Sequence, residues 1–154
     1  MSEQTTATDP LALVRQVCFA LSVASRNVVA LYRPLLEPMG LTHPQYLVML
    51  ALWGESPLSV KKISGLLQLD PGTLSPLLKR LEAAGLVRRE RDRHDERQLA
   101  VTLTEAGIAL RARAELIPAA MVQRLDMPIE ELEHLHEMLT RVIAASQTDA
   151  TINR

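Results

Sequence analysis

Residues 70–103 read DPGTLSPLLKRLEAAGLVRRERDRHDERQLAVTL, and the order of elements in this stretch decides the fold. Asp70-Pro71 pairs a side-chain acceptor with proline at the first helical position, where the missing N–H costs nothing. A helix is expected from there to about Ala84, ended by Gly85 as a left-handed terminator. Leu74, Leu77, Leu78 and Leu81 share one face of it, and Thr73, Ser75, Pro76, Lys79 and Arg80 lie outside that face. The periodicity then changes. Leu86–Arg91 and Gln98–Leu103 flank a charged tip, Asp92–Arg97, and the second arm alternates, with Leu99, Val101 and Leu103 on one side. Two such arms around a polar tip predict a β-hairpin.

Upstream, Ser59 is placed to cap a short helix over Val60–Leu67. Thr42 and Gln45 have capping-box spacing and open another helix through Trp53, ended by Gly54. Two short helices joined by a tight turn and followed by a hairpin make a winged helix-turn-helix, whose second helix enters the DNA major groove. An ordinary surface helix with a solvated polar face has the same spacing, so the helix alone leaves both readings open.

Outside this centre the chain reads as helix. Asp9-Pro10 predicts a long helix to about Tyr32, before Pro34. Thr104 is expected to cap a long helix bent at Pro118, because proline clashes with the preceding turn. Pro128 starts the last helix, whose apolar residues Ile129, Leu132, Leu135, Met138 or Leu139, and Val142 recur at helical spacing. The expected class is mainly α, with six helices and a small β-hairpin wing.

The 154 residues suit a single domain. One cysteine excludes an internal disulfide framework and points to a reducing cytosol. Met1–Thr8 lacks the basic and apolar regions of a signal peptide. Arg15, Arg26, Arg33 and Gln45 interrupt the apolar stretches before the ~18 residues that a membrane span needs. A soluble, cytoplasmic protein is expected. The net charge of −1 hides an asymmetry: Leu58–Thr104 holds nine Lys and Arg against six Asp and Glu, and the rest holds eight against twelve. Phosphate binding needs local positive charge, which the centre has. Arg88, Arg89, Arg91, Arg93 and Arg97 are candidates to grip the backbone or reach the minor groove, with Asp95 placed to orient Arg97 by a bidentate pair. His134 and His136, two apart on a helix, point away from each other and make no metal site, and His94 in the tip adds little. No metal or other cofactor is expected. Nor is an enzyme, since no oriented histidine, glycine elbow or phosphate loop accompanies the cysteine.

Asp95-Glu96-Arg97 followed by Leu103-Thr104-Glu105-Ala106-Gly107 resembles the wing signature of the MarR family of transcription regulators, and the likeness runs from Leu11 to Ser146. It implies a homodimer joined by N- and C-terminal helices (residues 9–36 and 105–148) around a winged helix-turn-helix region (42–104). The implied partner is double-stranded DNA with a pseudo-palindromic operator. Thr73, Ser75, Pro76, Lys79 and Arg80 would enter the major groove, and Arg97 at the wing tip the minor groove.

Val17-Cys18-Phe19-Ala20-Leu21, Leu31-Tyr32-Arg33-Pro34-Leu35-Leu36 and Gly40-Leu41-Thr42-His43-Pro44-Gln45-Tyr46-Leu47 further resemble the organic-hydroperoxide sensors of that family. There a reactive cysteine is oxidised to a sulfenic acid and the dimer releases DNA. Cys18 matches that cysteine, and Tyr32 a tyrosine that contacts it from the other subunit. Ser22 and His43 stand where two further tyrosines are common, and Arg15 lies one turn before Cys18. Fourteen helical residues put Cys18 and Tyr32 about 21 Å apart, so they meet only across an antiparallel dimer. With no second cysteine, oxidised Cys18 stays a sulfenic acid, is capped by a small thiol or is over-oxidised. The alternative is a repressor released by a small phenolic or amphipathic ligand, with Cys18 a small core hydrophobe, the commoner role of a lone helical cysteine.

Overall fold

The computed structural model describes residues 9–13 and 16–152, with side chains to residue 147. The polar tail Met1–Thr8 and Arg15 lie outside the described residues. In chain order the elements are α1 (Val17–Leu36), a 3-10 turn (Glu37–Met39), α2 (His43–Gly54), β1 (Leu58–Ser59), α3 (Val60–Leu67), α4 (Pro71–Ala83), β2 (Val87–Arg91), β3 (Leu99–Leu103), α5 (Glu105–Ala114), α6 (Ile117–Leu125) and α7 (Ile129–Ile152).

The central elements start and stop where local chemistry dictates. Thr42 and Gln45 form a complete capping box: the Gln45 N–H donates to the Thr42 hydroxyl at 3.4 Å, and the Thr42 N–H to Gln45 Oε1 at 2.9 Å. Ser59 accepts from the Lys62 N–H at 3.0 Å and starts α3. Asp70 accepts from the Thr73 N–H at 2.9 Å and starts α4. Gly85, at φ 77°, ends α4 in the left-handed region that a side chain disfavours.

Three expectations need correction. The first helix begins at Val17, not Pro10, because Asp9 closes a local turn instead: its carboxylate accepts the Leu11 N–H and its carbonyl the Ala12 N–H. It also continues through Pro34 to Leu36, forgoing the one hydrogen bond that the proline cannot donate, and buried Leu36 anchors the end. The helix expected to bend at Pro118 is broken outright. α5 ends at Ala114, four residues before the proline, and α6 starts with Pro118 in its first turn, so the expected six helices become seven segments. The hairpin is joined by a third strand. β1 pairs with β3 (Leu58 opposite Val101), giving an antiparallel sheet of order β1-β3-β2.

Residues divide into two units at Glu115/Leu116. In the first, the core is aliphatic and lies between the helices and the inner sheet face. Val48, Met49, Leu52, Ile63, Leu74, Leu78, Leu81, Val87 and Val101 are all fully buried. Each such side chain stabilises the fold by about 1.5–3 kcal/mol relative to exposure. All four leucines expected on the inner face of α4 are buried. Leu99 is the exception on the hairpin: it pairs with Arg91 at the tip end of the ladder, beyond the core, and is exposed. In the second unit, Ile117 and Met121 of α6 are buried, whereas Ile129, Leu135, Met138 and Val142 of α7 stay exposed. Among the described residues no helix is long and apolar enough to cross a membrane.

Candidate DNA interface and thiol site

The outer face of α4 carries Thr73, Ser75, Pro76, Lys79 and Arg80, all exposed. The turn before it is fixed by Gln68 in the left-handed region (φ 54°), by the Leu69 N–H on the Ser64 carbonyl at 3.1 Å, and by the Ser64 hydroxyl donating to the Leu69 carbonyl. The Thr73 hydroxyl donates to Asp70 at 2.7 Å, which holds the first turn of α4 rigid and draws the Asp70 pKa down.

The wing is anchored at its base. The Arg89 N–H donates to Glu82 Oε2 at 2.9 Å, while its guanidinium donates to Oε1 from Nη2 at 3.1 Å and Nε at 3.3 Å. The backbone N–H first, and the guanidinium with it, hold the Glu82 carboxyl below its usual range. Arg89 therefore pins the wing to α4 and is withdrawn from the DNA-gripping set. Arg91 is also engaged, donating to the Glu96 carbonyl at 3.4 Å. Arg88 is exposed beside Glu90 at 3.9 Å. Asp95 does not make the expected bidentate pair. It accepts the Arg97 N–H at 3.1 Å and lies 3.5 Å from Arg97 Nε, a tight turn that leaves the guanidinium 94% exposed. On the outer sheet face, Arg88, Arg93 and His94 stand over Ser59, Ala100 and Thr102 around a cavity of about 500 Å³.

A second anchor explains why glycine stands at position 107. A Cβ there would lie 2.2 Å from the Leu86 carbonyl oxygen. That close approach lets the Gly107 carbonyl accept from Trp53 Nε1 at 2.9 Å and its N–H reach the Thr104 hydroxyl at 3.1 Å. The same hydroxyl donates to the Gly85 carbonyl at 2.6 Å. The end of α4, the base of the wing, α2 and α5 meet at this point.

The thiol lies elsewhere. Cys18 is free and exposed near the start of α1. At about 100° per residue, Cys18, Ser22, Ser25, Val29 and Tyr32 fall within an arc of about 80° on one helix face. Val17, Phe19 and Val29 of this helix are exposed large apolar residues. Cys18 and Tyr32 are not brought together within the chain. Tyr32 and His43 are: their ring centroids lie 4.8 Å apart, with Tyr46 at 5.7 Å from Tyr32 and 6.4 Å from His43. Burial pushes the Tyr32 phenol up and the His43 imidazole down, and burial followed by the neighbouring Tyr32 pushes Tyr46 up.

Tyr46, Glu82 and the Trp53–Gly107 bond were not singled out in the sequence. Tyr46 had a local signal, lying three residues after His43 and so on the same helical face. The other two had none, because their partners are seven and 54 residues away. Among the described residues no group of three His, Cys, Asp or Glu could hold a metal ion.

Known proteins share this fold. The family profile of the transcriptional regulators SarA/Rot matches residues 30–113. The chain is 47% identical over 136 residues to the HTH-type transcriptional regulator TtmR of Methylorubrum extorquens, covering 88% of this chain and 70% of that one. It is 41% identical over 131 residues to the organic hydroperoxide resistance transcriptional regulator of Bacillus subtilis, covering 85% and 89%. The structure of reduced AbfR bound to DNA superposes with a TM-score of 0.72 at 38% identity, covering 85% and 91%. The rigid α4 face, the anchored wing and these relatives together assign the fold, and the chain belongs to the SarA/Rot family of transcriptional regulators, which have the MarR-like winged-helix fold.

Proposed function

We propose that the protein is a cytoplasmic, homodimeric DNA-binding regulator, not an enzyme, that releases its operator when an organic hydroperoxide oxidises Cys18. The observation that carries this reading is the α1 stripe. Residue 25 lies midway between Cys18 and Tyr32, so a two-fold axis at Ser25 sets Cys18 of one copy level with Tyr32 of the other. The exposed apolar residues of α1 and α7 supply the surfaces that such a dimer buries (residues 9–36 and 105–148), leaving 42–104 to read DNA. Thr73, Ser75, Pro76, Lys79 and Arg80 enter the major groove of each half-site of a pseudo-palindrome. Arg88 grips the backbone, and Arg97, on its Asp95 turn, enters the minor groove.

Tyr32, Ser22 and His43 surround the thiol in this reading. The same axis places the two Cys18 residues about 21 Å apart, far beyond the ~7 Å that a disulfide tolerates between Cα atoms. Oxidised Cys18 is then a sulfenic acid or a mixed disulfide with a small thiol.

The test titrates operator binding with cumene hydroperoxide for wild type and Cys18→Ser. Release in wild type alone is expected. Unchanged binding in both would refute peroxide sensing, and release in both would favour a ligand that acts without the thiol.

A further inference from the structure

We propose that His43 is the proton acceptor that activates Cys18 of the partner subunit, an inference that rests on the antiparallel pairing of α1 above. The ring cluster puts His43 against Tyr32, and the two-fold relation sets Tyr32 level with the partner subunit's Cys18. His43 therefore stands beside the thiol that Tyr32 meets.

The chemistry of the cluster singles out the imidazole. Tyr32 on α1 and Tyr46 on α2 are the titratable side chains in ring contact with His43. Both phenols are pushed up by burial, so at neutral pH they stay protonated and donate hydrogen bonds. Burial pulls His43 the other way, so before proton transfer its ring is neutral and one nitrogen can accept the Sγ proton, giving a thiolate–imidazolium pair in which each charge stabilises the other. It alone in the cluster can accept a proton at neutral pH.

The step balances. The imidazole takes the Sγ proton, and the thiolate attacks one oxygen of the hydroperoxide. An S–O bond forms as the O–O bond breaks, oxidising sulfur by two electrons and reducing the peroxide. The leaving alkoxide takes the proton back from the imidazolium. The products are an alcohol, a sulfenic acid on Cys18 and a neutral His43. The phenols orient the ring and donate to the thiolate, whereas His43 moves the proton.

An ordinary thiol, with pKa ≈ 8.5, is only about 3% thiolate at pH 7, so losing its base costs about 30-fold in rate. The experiment measures two rates on the reduced full-length protein between pH 5.5 and 9.5: alkylation of Cys18 by iodoacetamide and its oxidation by cumene hydroperoxide. Wild type is compared with His43→Gln and His43→Asn, each used once operator binding in the reduced state matches wild type.

In wild type the alkylation rate should hold its plateau well below pH 8.5, falling with an apparent value that belongs to the thiol–imidazole pair. Both variants should react about 30-fold more slowly at pH 7 and catch up above pH 9. Equal rates and pH profiles in wild type and variants would overturn the role of His43. A His43-dependent alkylation profile with no reaction toward hydroperoxide would instead refute peroxide sensing while leaving the proton transfer intact.

Discussion

Replacing Gly107 by alanine tests the junction on which both DNA-reading elements depend. The added Cβ would lie 2.2 Å from the Leu86 carbonyl oxygen and 3.2 Å from Leu103 Cδ2. Relief needs a movement of about 1 Å in backbone, since ordinary carbon–oxygen contacts exceed 3 Å. The Leu86 oxygen is not free to move, because it accepts the Thr104 N–H at 3.1 Å. Overpacking of this kind costs about 1–3 kcal/mol, and a loosened backbone hydrogen bond adds about 1. Against that, alanine gains about 0.5–1 kcal/mol over glycine within a helix. The net expectation is a loss of about 1–3 kcal/mol, or roughly 3–10 °C in melting temperature for a chain of this size.

Gly65 in α3 is the control, since a Cβ there meets nothing within 4 Å. Gly65→Ala should be neutral or slightly stabilising. Thermal and urea unfolding at one fixed protein concentration compare the three proteins, because any self-association couples stability to concentration. Gly107→Ala as stable as Gly65→Ala would refute the argument that the Leu86 approach demands glycine. Its operator affinity, measured well below the melting temperature, should also fall, because the end of α4 and the wing share the displaced backbone.

Further outcomes follow from the same contacts. Arg97→Ala should weaken operator binding and lower the salt slope of log K by about 1, leaving the melting temperature unchanged because the guanidinium is solvated; unchanged affinity would count against the wing-tip assignment. The Glu82 carboxyl has a folded pKa below its unfolded value, so its contribution is complete above the ordinary carboxylate range and is lost as pH falls through the depressed value. Glu82→Gln should therefore flatten the acid limb of melting temperature against pH, and an unaltered limb would place the acid sensitivity elsewhere. Trp53→Phe should cost about 1 kcal/mol by leaving the Gly107 carbonyl without its indole donor, with little effect on the α4 surface; no loss in urea unfolding would mean that water replaces the bond.

The elements of the DNA-reading centre were legible in the sequence because local chemistry fixes them. Thr42, Ser59 and Asp70 each satisfy N–H groups within three residues, and left-handed Gly85 turns the chain out of α4 with its N–H on the nearby Glu82 carbonyl. The same holds for the leucine face of α4, since helical period and burial select the same residues. Charge was legible only as a cluster. Five arginines in 88–97 looked equivalent, yet Arg89 is consumed by Glu82, a partner that depends on how the strand lies against the helix, and Arg91 donates within the hairpin to the Glu96 carbonyl. The start of α1 was misplaced because Asp9-Pro10 carries the same cap signal as Asp70-Pro71, although no core awaits the residues that follow it: Leu11 and Leu13 are exposed.

Sequence by itself determined the hairpin, the single thiol, the basic centre and where the central helices lie, because caps, alternation and composition are set along the chain itself. Tertiary structure decided the third strand, the break before Pro118 and the Gly107 junction. It also sorted which cations remain available and gathered Tyr32, His43 and Tyr46 into one cluster. Leu58 with Val101 and Trp53 with Gly107 lie tens of positions apart, and even the nearer pairs, Arg89 with Glu82 and Tyr32 with His43, meet only after the core has fixed the separate segments against each other.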